Sequence, residues 1–347
     1  MPCVRRNDKF EIMYKETFSL ADIICAYYSC RRNKRTQTSS LEFEIRQEEN
    51  LLQLYEEIAT KSYKPGCSNC FVVTTPKLRE VFGSNYRDRI VHHLLVGKLE
   101  PIFDKSFLET SFACRKGKGL LKGVLSVRKM LRQSTKSAKS PSYYGQFDVQ
   151  SFFMSVDKDV LYSILERKIR RKFPKEEVAD ILWLARVVIF HDPTTSYNVK
   201  GDSNLLKLIP SHKSLFSMLD KKGLPIGNLT SQFFANVYLN ELDQYIKREL
   251  KVKYYARYAD DFLIIDRDKQ KIKLLRKQID LFLNDKLKLQ LNPEKDKYGS
   301  VYSGIDFIGY IIKPRYTLVR NRVVRSLKQK LIQINRNPSR LPNLIVL

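Results

Sequence analysis

The chain has 347 residues, enough for two or three compact units around a large hydrophobic core. Its 63 Lys and Arg residues against 37 Asp and Glu residues give a net charge of +26, which indicates a polyanionic partner such as nucleic acid. Hydrophobic residues at 43% and aromatic residues at 11% exclude a largely disordered chain. No apolar run approaches the ~18 residues of a membrane span, and the first residues lack the apolar core of a secretion signal. We therefore expect a cytoplasmic protein without disulfides or membrane contact.

Four cysteines form two closely spaced pairs. Cys25 and Cys30 are separated by four residues, and Cys67 and Cys70 by two. The two pairs would form a four-thiolate zinc site if the fold brought them together. The alternative is that they pack as small hydrophobic residues of a helix and a strand.

The first third of the chain predicts a helix, two strands and a second helix. Residues 41–63 repeat apolar side chains at helical spacing, and Lys64-Pro65-Gly66 ends that helix. Residues 71–75 and 77–82 are strand-like and predict an antiparallel pair that carries basic side chains. Residues 86–103 return to a helical period.

Two long stretches carry positive charge and no acidic residue. The stretch from Lys313 to Leu347 has nine Lys or Arg residues, and the stretch from Thr110 to Phe147 also has nine. Because a solvated surface normally mixes both signs, this pattern predicts a face that binds a phosphate backbone. The nine cations of the earlier stretch are Arg115, Lys116, Lys118, Lys122, Arg128, Lys129, Arg132, Lys136 and Lys139.

Two segments place carboxylates at the ends of apolar strands. Residues 143–157 contain a strand that delivers Asp148, and residues 252–266 predict a hairpin with Asp260 and Asp261 at its turn. Adjacent carboxylates repel each other unless a cation lies between them. If a neighbouring strand brings Asp148 alongside, the three aspartates could hold two Mg²⁺ ions, because this hard cation prefers carboxylate and phosphate oxygens.

Residues 223–250 predict a turn followed by a long amphipathic helix. Pro225, Gly227 and Asn228 form the turn, and Gly227 lets the backbone approach a ligand. The buried face of the helix is predicted to carry Phe234, Val237, Leu242 and Ile246. The order of the predicted elements is that of a polymerase palm. It runs from a basic strand pair to an aspartate strand, then to this turn and helix, and ends with an Asp-Asp hairpin.

From about Tyr63 to Val324 these motifs resemble reverse transcriptases. Tyr258-Ala259-Asp260-Asp261 is similar to the Tyr-x-Asp-Asp motif of that family, and Asp148 is similar to its first metal-binding aspartate. Where group II intron and retron enzymes usually have Gln-Gly and Ser-Pro, this chain has Ile226-Gly227 and Ser231-Gln232. That difference resembles the reverse transcriptases of diversity-generating retroelements. Further similar blocks are residues 86–95, 111–119, 212–216 and 305–310.

The resemblance implies an α+β fold, a right-hand polymerase with an antiparallel palm sheet backed by helices. Fingers would occupy 1–100 and 158–225, palm 101–157 and 226–313, and thumb 314–347. The thumb would be short, with about one helix before Pro338. We expect a small basic, oligomeric accessory variability protein to be the partner that completes the hold of the thumb on nucleic acid.

The resemblance also implies the reaction and its residues. A DNA or RNA primer on template RNA would attack the α-phosphate of a dNTP with two Mg²⁺ ions. Asp148 and Asp260 would bridge the metals, Val149 would offer a carbonyl, and Asp261 would support them. Phe153 would exclude a ribose 2′-hydroxyl, unless it is an ordinary core residue. The remaining expected nucleotide contacts are Lys77, Arg79, Ile226, Gly227, Gln232 and Lys295, with Lys297 as a rival to Lys295, and the expected nucleic-acid contacts are Arg87, Arg89, Arg115, Lys116, Lys118 and Lys122.

Other functions stay open at this point. The chain would also suit a bacterial, archaeal or phage group II intron, retron or phage-defence reverse transcriptase. A different class is a non-catalytic RNA-binding scaffold or splicing helper. The three carboxylates argue against a pure binder, because a negative cluster facing phosphates weakens binding.

Overall fold

A computed structural model describes residues 16–32, 34–75, 77–219 and 221–336 of the chain. These residues form a mixed helix and strand fold. The helices are α1 (Leu20–Arg31), α2 (Thr38–Glu44), α3 (Gln47–Ala59), α4 (Tyr86–Phe103), α5 (Leu120–Ser134), α6 (Phe152–Ser155), α7 (Lys158–Lys172), α8 (Lys175–Phe190), α9 (Leu229–Gln244), α10 (Lys269–Leu287) and α11 (Asn321–Arg336). The strands are β1 (Ser68–Val73), β2 (Arg79–Gly83), β3 (Tyr143–Asp148), β4 (Tyr197–Val199), β5 (Tyr254–Tyr258), β6 (Asp261–Asp266), β7 (Lys297–Ser300), β8 (Ile305–Phe307), β9 (Tyr310–Ile312) and β10 (Thr317–Val319).

The central element is an antiparallel sheet of four strands in the order β5-β6-β3-β7. The interior of strand β6, from Phe262 to Ile265, is apolar because both faces of the sheet are covered. Phe262 and Ile264 pack into the core formed with α9 and α10, whereas Leu263 and Ile265 pack against α5 and the β8–β10 sheet. The antiparallel sheet backed by helices that we expected is confirmed, although a small second sheet joins α5 on one face.

A third sheet has the strand order β2-β1-β4. Strand β1 pairs antiparallel with β2, which confirms the expected pair, and parallel with β4. The helix predicted for residues 41–63 is instead two helices, α2 and α3, with a break after Glu44. Helix α4 packs against α1 and against α9, so it joins the N-terminal helices to the core behind the central sheet.

The expected subdomain boundaries stay a prediction. The boundary at 100/101 falls inside α4, and the boundary at 313/314 falls between the paired strands β9 and β10. A C-terminal helix is present as α11, none of whose residues is buried. The break expected at Pro338 lies outside the described residues.

Two sequence alternatives can be decided on the described residues. Among these residues no three Cys, His, Asp or Glu side chains cluster as metal ligands, so the zinc-site hypothesis is wrong. Cys30 and Cys70 are instead buried in apolar clusters on α1 and β1. No helix of the described ranges is long and apolar enough to cross a membrane.

Candidate active site

The aspartate hairpin has the geometry expected from the sequence. Strands β5 and β6 meet at a turn where Ala259 has the left-handed φ of 56°. Strand β3 pairs with β6 so that Asp148 lies opposite Asp261. The expected meeting of the β3 aspartate with the Asp-Asp turn is thus confirmed.

A buried ion pair supports this turn from behind. Arg257 is 1% exposed and donates from Nε and Nη2 to the two carboxylate oxygens of Asp243 at 2.8 and 2.7 Å. The same guanidinium donates from Nη1 to the carbonyl oxygen of Ala259 at 3.0 Å. Tyr255 Oη donates to Asp243 at 2.6 Å. Sequence analysis missed this group, which fixes the backbone next to Asp260.

The hairpin opens into a cleft of about 670 Å³ between the central sheet and the β2-β1-β4 sheet. Asp148, Val149 and Asp260, at the end of the central sheet, line the cleft together with Lys77 and Arg79 from the β1–β2 hairpin. The structure therefore brings together most of the residues that the sequence assigned to metal and nucleotide. Further cleft-lining residues include Phe153, His212, Lys213, Ile226, Asn292, Glu294 and Lys295.

The cleft carboxylates are electrostatically coupled. Burial raises the pKa of Asp260, and the negative charge of Asp148 raises it further, whereas Lys295 and Arg79 oppose the shift. Lys295 Nζ lies 2.5 Å from Asp148 Oδ1. The rival Lys297 is absent from the cleft lining, so the geometry favours Lys295.

Asp261 does not line the cleft directly, and its expected role beside the metal stays a prediction. Both of its carboxylate oxygens accept from Gln146 Nε2 at 3.1 Å, and burial raises the pKa of Asp261 to about 7.

The donor set that faces the cleft fits Mg²⁺. It consists of Asp148, Asp260 and the backbone at Val149. No cluster of three or more metal-ligating side chains is found in the described ranges. Mg²⁺ nevertheless commonly takes one or two carboxylates and completes its shell with substrate phosphates and water. A pair of carboxylates beside a basic wall is such a site.

Protein packing alone already requires glycine at position 227, and the expected approach of a ligand to its backbone stays a prediction. Its φ is 122°, and a Cβ there would lie 2.6 Å from Val81 Cγ1 and 3.0 Å from the Phe82 carbonyl oxygen. Gln232 is exposed on the first turn of α9 and does not line the cleft. Ile226 does line it and packs against Phe82 and neighbouring apolar residues.

Three arginines expected to bind nucleic acid are instead bonded within the protein. Arg87 pairs with Glu57, and Arg89 Nε donates to the Ser84 carbonyl oxygen at 2.8 Å. The Arg115 side chain is 4% exposed and is bonded to the Asp104 carboxylate and to three backbone carbonyls. Lys116 pairs with Glu100 and Lys118 with Glu109. Asp104, Glu100 and Glu109 precede the acid-free stretch, so counting charge within that stretch missed them.

The later part of the same stretch forms a basic groove on α5. The groove has a volume of about 440 Å³. Because Arg267 Nε donates to the Ser134 carbonyl oxygen at 3.0 Å, this end of α5 lies near the end of β6 remote from Asp261. Lys122 is exposed on the same helix. The basic groove is lined by Leu125, Arg128, Lys129, Arg132, Gln133, Lys136 and Ser137.

Comparison with known proteins agrees with this geometry. Residues 64–312 match the family described as reverse transcriptase (RNA-dependent DNA polymerase). Protein YkfC of Escherichia coli K12 is 24% identical over 312 residues, which cover 80% of this chain and 75% of YkfC. The group II intron-encoded protein LtrA of Lactococcus lactis is 38% identical over 66 residues, which cover 19% of this chain and 11% of LtrA.

Solved structures agree on the fold. Telomerase from Candida albicans, in complex with a fragment of telomeric RNA, has a TM-score of 0.52 at 12% sequence identity. The match covers 78% of this chain and 51% of the telomerase, so the chain spans about half of that protein's length. Apo telomerase from Candida tropicalis gives a TM-score of 0.50. With a right-hand polymerase fold and a family match over residues 64–312, the chain belongs to the reverse transcriptase family of RNA-directed DNA polymerases.

Proposed function

We propose that this reverse transcriptase makes error-prone cDNA from a template RNA in a diversity-generating retroelement, with errors concentrated opposite adenine. The observation that carries the proposal is Ile226, whose apolar side chain lines the cleft where the related position in most of the family is Gln. The expected retroelement assignment rests on this residue and on Ser231-Gln232.

An apolar wall at this position supports low fidelity. Ile226 packs against the cluster of Cys70, Phe82, Met154 and Leu215, which holds the stiff β-branched side chain at the cleft. Ile has no donor or acceptor with which to penalise a misplaced base pair. Shape alone discriminates by only ~1 to 3 kcal/mol per methylene-sized difference.

The reaction assigned to the cleft is attack of a primer 3′-hydroxyl on the α-phosphate of a dNTP, with release of pyrophosphate. Two bound Mg²⁺ ions would supply charge neutralisation at the attacking and leaving oxygens. Asp148 and Asp260 would hold the metals, and the Val149 carbonyl would be an additional donor. Lys77 and Arg79 neutralise the triphosphate, as a point charge and a bidentate grip respectively.

Two further cleft residues take distinct roles in this proposal. Phe153 is half-buried, lines the cleft and packs against two apolar clusters, which supports a role in excluding a ribose 2′-hydroxyl. The contact of Lys295 with Asp148 supports a role in protonating the leaving pyrophosphate.

The proposed partners are template RNA, a DNA or RNA primer, and an accessory variability protein, all in the cytoplasm. Lys122 and the basic groove of α5 are the surfaces assigned to RNA. Helix α11, proposed as the thumb, has no buried residue. A small basic, oligomeric accessory protein completing the thumb is consistent with that exposure.

A second candidate is a group II intron, retron or phage-defence reverse transcriptase. The local match to LtrA favours it. The scaffold alternative is disfavoured because Asp148 and Asp260 face the cleft, where they would repel a phosphate backbone.

The deciding experiment sequences cDNA made from one defined RNA template. We expect wild type to misincorporate mainly opposite adenine and Ile226→Gln to lower those errors several-fold while extension stays measurable. Ile226→Val is the matched control, because it keeps an apolar β-branched wall and is expected to keep the wild-type error spectrum. Adenine errors no more frequent than the others in wild type would favour the second candidate. Equal adenine errors in an active Ile226→Gln variant would exclude Ile226 as the cause.

A further inference from the structure

The segment from Ser211 to Ser217 packs onto the sheet that carries Lys77 and Arg79. It forms two short 3₁₀ turns, Ser211–Lys213 and Leu215–Ser217. The buried Leu215 joins the cluster around Phe82. The Phe216 ring lies 5.5 Å from the Phe82 ring and 5.1 Å from the Tyr197 ring, measured between centroids. The segment is therefore anchored by apolar and aromatic contacts.

A buried carboxylate adds a polar anchor. Glu80 on β2 is 1% exposed, and its Oε2 accepts from Ser214 Oγ at 2.8 Å. Its Oε1 accepts from the backbone N–H of Leu215. A buried carboxylate is costly unless such bonds satisfy it, so Glu80 favours one position of the segment over others.

This anchor places two additional side chains in the cleft. His212 and Lys213 immediately precede Ser214, and both line the cleft with Lys77 and Arg79. Glu80 directly follows Arg79 in sequence, and Ser214 directly follows Lys213. The Glu80–Ser214 hydrogen bond therefore joins the chain neighbours of two cleft cations.

The charge around the cleft indicates what Lys213 contacts. The cations that line it are Lys77, Arg79, Lys213 and Lys295, and the carboxylates are Asp148, Asp260 and Glu294. Asp148 and Asp260 are assigned to metal, which leaves the cationic wall to face an anion. A nucleoside triphosphate is the densest anion that the family's reaction brings there.

We propose that Lys213 binds the triphosphate of the incoming nucleotide, and that Glu80 is the positioning residue that holds Lys213 in place through Ser214 and Leu215. The proposal rests on the polymerase activity of the family and not on the retroelement assignment. If the Lys213 proposal fails, the variants will keep the nucleotide affinity of their controls. If the retroelement assignment fails, only the error spectrum will show it.

The first test compares Lys213→Ala with Lys207→Ala. Lys207 is an exposed lysine of a neighbouring 3₁₀ turn that does not line the cleft, so it controls for loss of one charge. We expect Lys213→Ala to raise the KM for dNTP about fivefold, with kcat within about twofold. Binding of inorganic tripolyphosphate, measured by calorimetry without metal, should weaken by a similar factor. Equal KM and equal tripolyphosphate affinity in the two variants would overturn the role of Lys213.

The second test separates positioning from general stability. Glu80→Ala should raise KM as Lys213→Ala does, whereas Glu80→Gln, which keeps an acceptor for the Leu215 N–H, should restore most of the wild-type KM. The double variant Glu80→Ala with Lys213→Ala should be no worse than either single variant, because both remove the same interaction. Additive effects on KM would refute the positioning role. Should Glu80→Ala fold poorly, Ser214→Ala removes one of the two bonds and should give a smaller shift in the same direction; no shift would equally refute it.

Discussion

Replacing Asp243 with Leu leaves the guanidinium of Arg257 buried without its counter-ion. Both side chains are almost completely buried, at 0% and 1% exposure, and they share two hydrogen bonds of 2.8 and 2.7 Å. Breaking such a pair from one side typically costs ~3 to 5 kcal/mol. We therefore expect the free energy of unfolding of Asp243→Leu to fall by that amount.

Removing both charges separates stability from catalysis. Asp243→Leu with Arg257→Met leaves no unpaired charge, so part of the lost stability should return. A deficit of ~1 to 3 kcal/mol should remain because Tyr255 Oη loses its acceptor. Primer extension should nevertheless stay at least about tenfold below wild type. The Ala259 carbonyl loses its donor beside Asp260, and the left-handed turn there costs ~1 to 2 kcal/mol by itself.

The assay pairs urea denaturation, followed by circular dichroism, with primer extension on RNA. The control is Glu166→Leu, which removes the carboxylate of the partly exposed Arg170–Glu166 pair and should change stability by less than ~0.5 kcal/mol. Wild-type extension by the double variant would refute the claim that Arg257 positions the turn. If Asp243→Leu lowered the free energy of unfolding by less than ~1 kcal/mol, the buried ion pair itself would be refuted.

Three further predictions concern the cleft and the basic groove. Phe153→Ala should lower the preference for deoxyribonucleotides over ribonucleotides by at least about tenfold, measured as a ratio of kcat/KM values; an unchanged ratio would mean that Phe153 only packs. Lys295→Ala should slow single-nucleotide extension far more than Lys297→Ala, and equal rates would remove Lys295 from the chemistry. Replacing the groove cations with Ala should weaken RNA binding and reduce the slope of log affinity against log salt by up to about 3, with the KM for dNTP unchanged; an unchanged slope would exclude the groove as an RNA contact. The replaced residues are Arg128, Lys129, Arg132 and Lys136.

The aspartate hairpin could be predicted because its information is local. Two-residue alternation in β5, an apolar β6 and adjacent carboxylates at the turn all lie within residues 254–266. The pairing of Asp148 with this turn needed the family resemblance, because the two segments are far apart in the chain.

Interactions between distant residues could not be predicted in the same way. Glu80 and Ser214 are 134 residues apart, and nothing in either segment alone indicates a hydrogen bond. The basic stretch misled for a related reason, since the acids that pair with Arg115, Lys116 and Lys118 lie outside it. For Asp243 the available signal was that it is a polar residue among the buried residues of α9.

The most direct test of the account is primer extension on an RNA template, with Mg²⁺ and dNTPs, by wild type and Asp260→Asn. Asn keeps the size of the side chain but removes the charge of a metal ligand. Asp285→Asn, an exposed site on α10, is the matched control. The account predicts that extension by Asp260→Asn falls by orders of magnitude, while its RNA affinity and the activity of the control stay near wild type. Undiminished extension by Asp260→Asn would contradict the assignment of this cleft as the polymerase site.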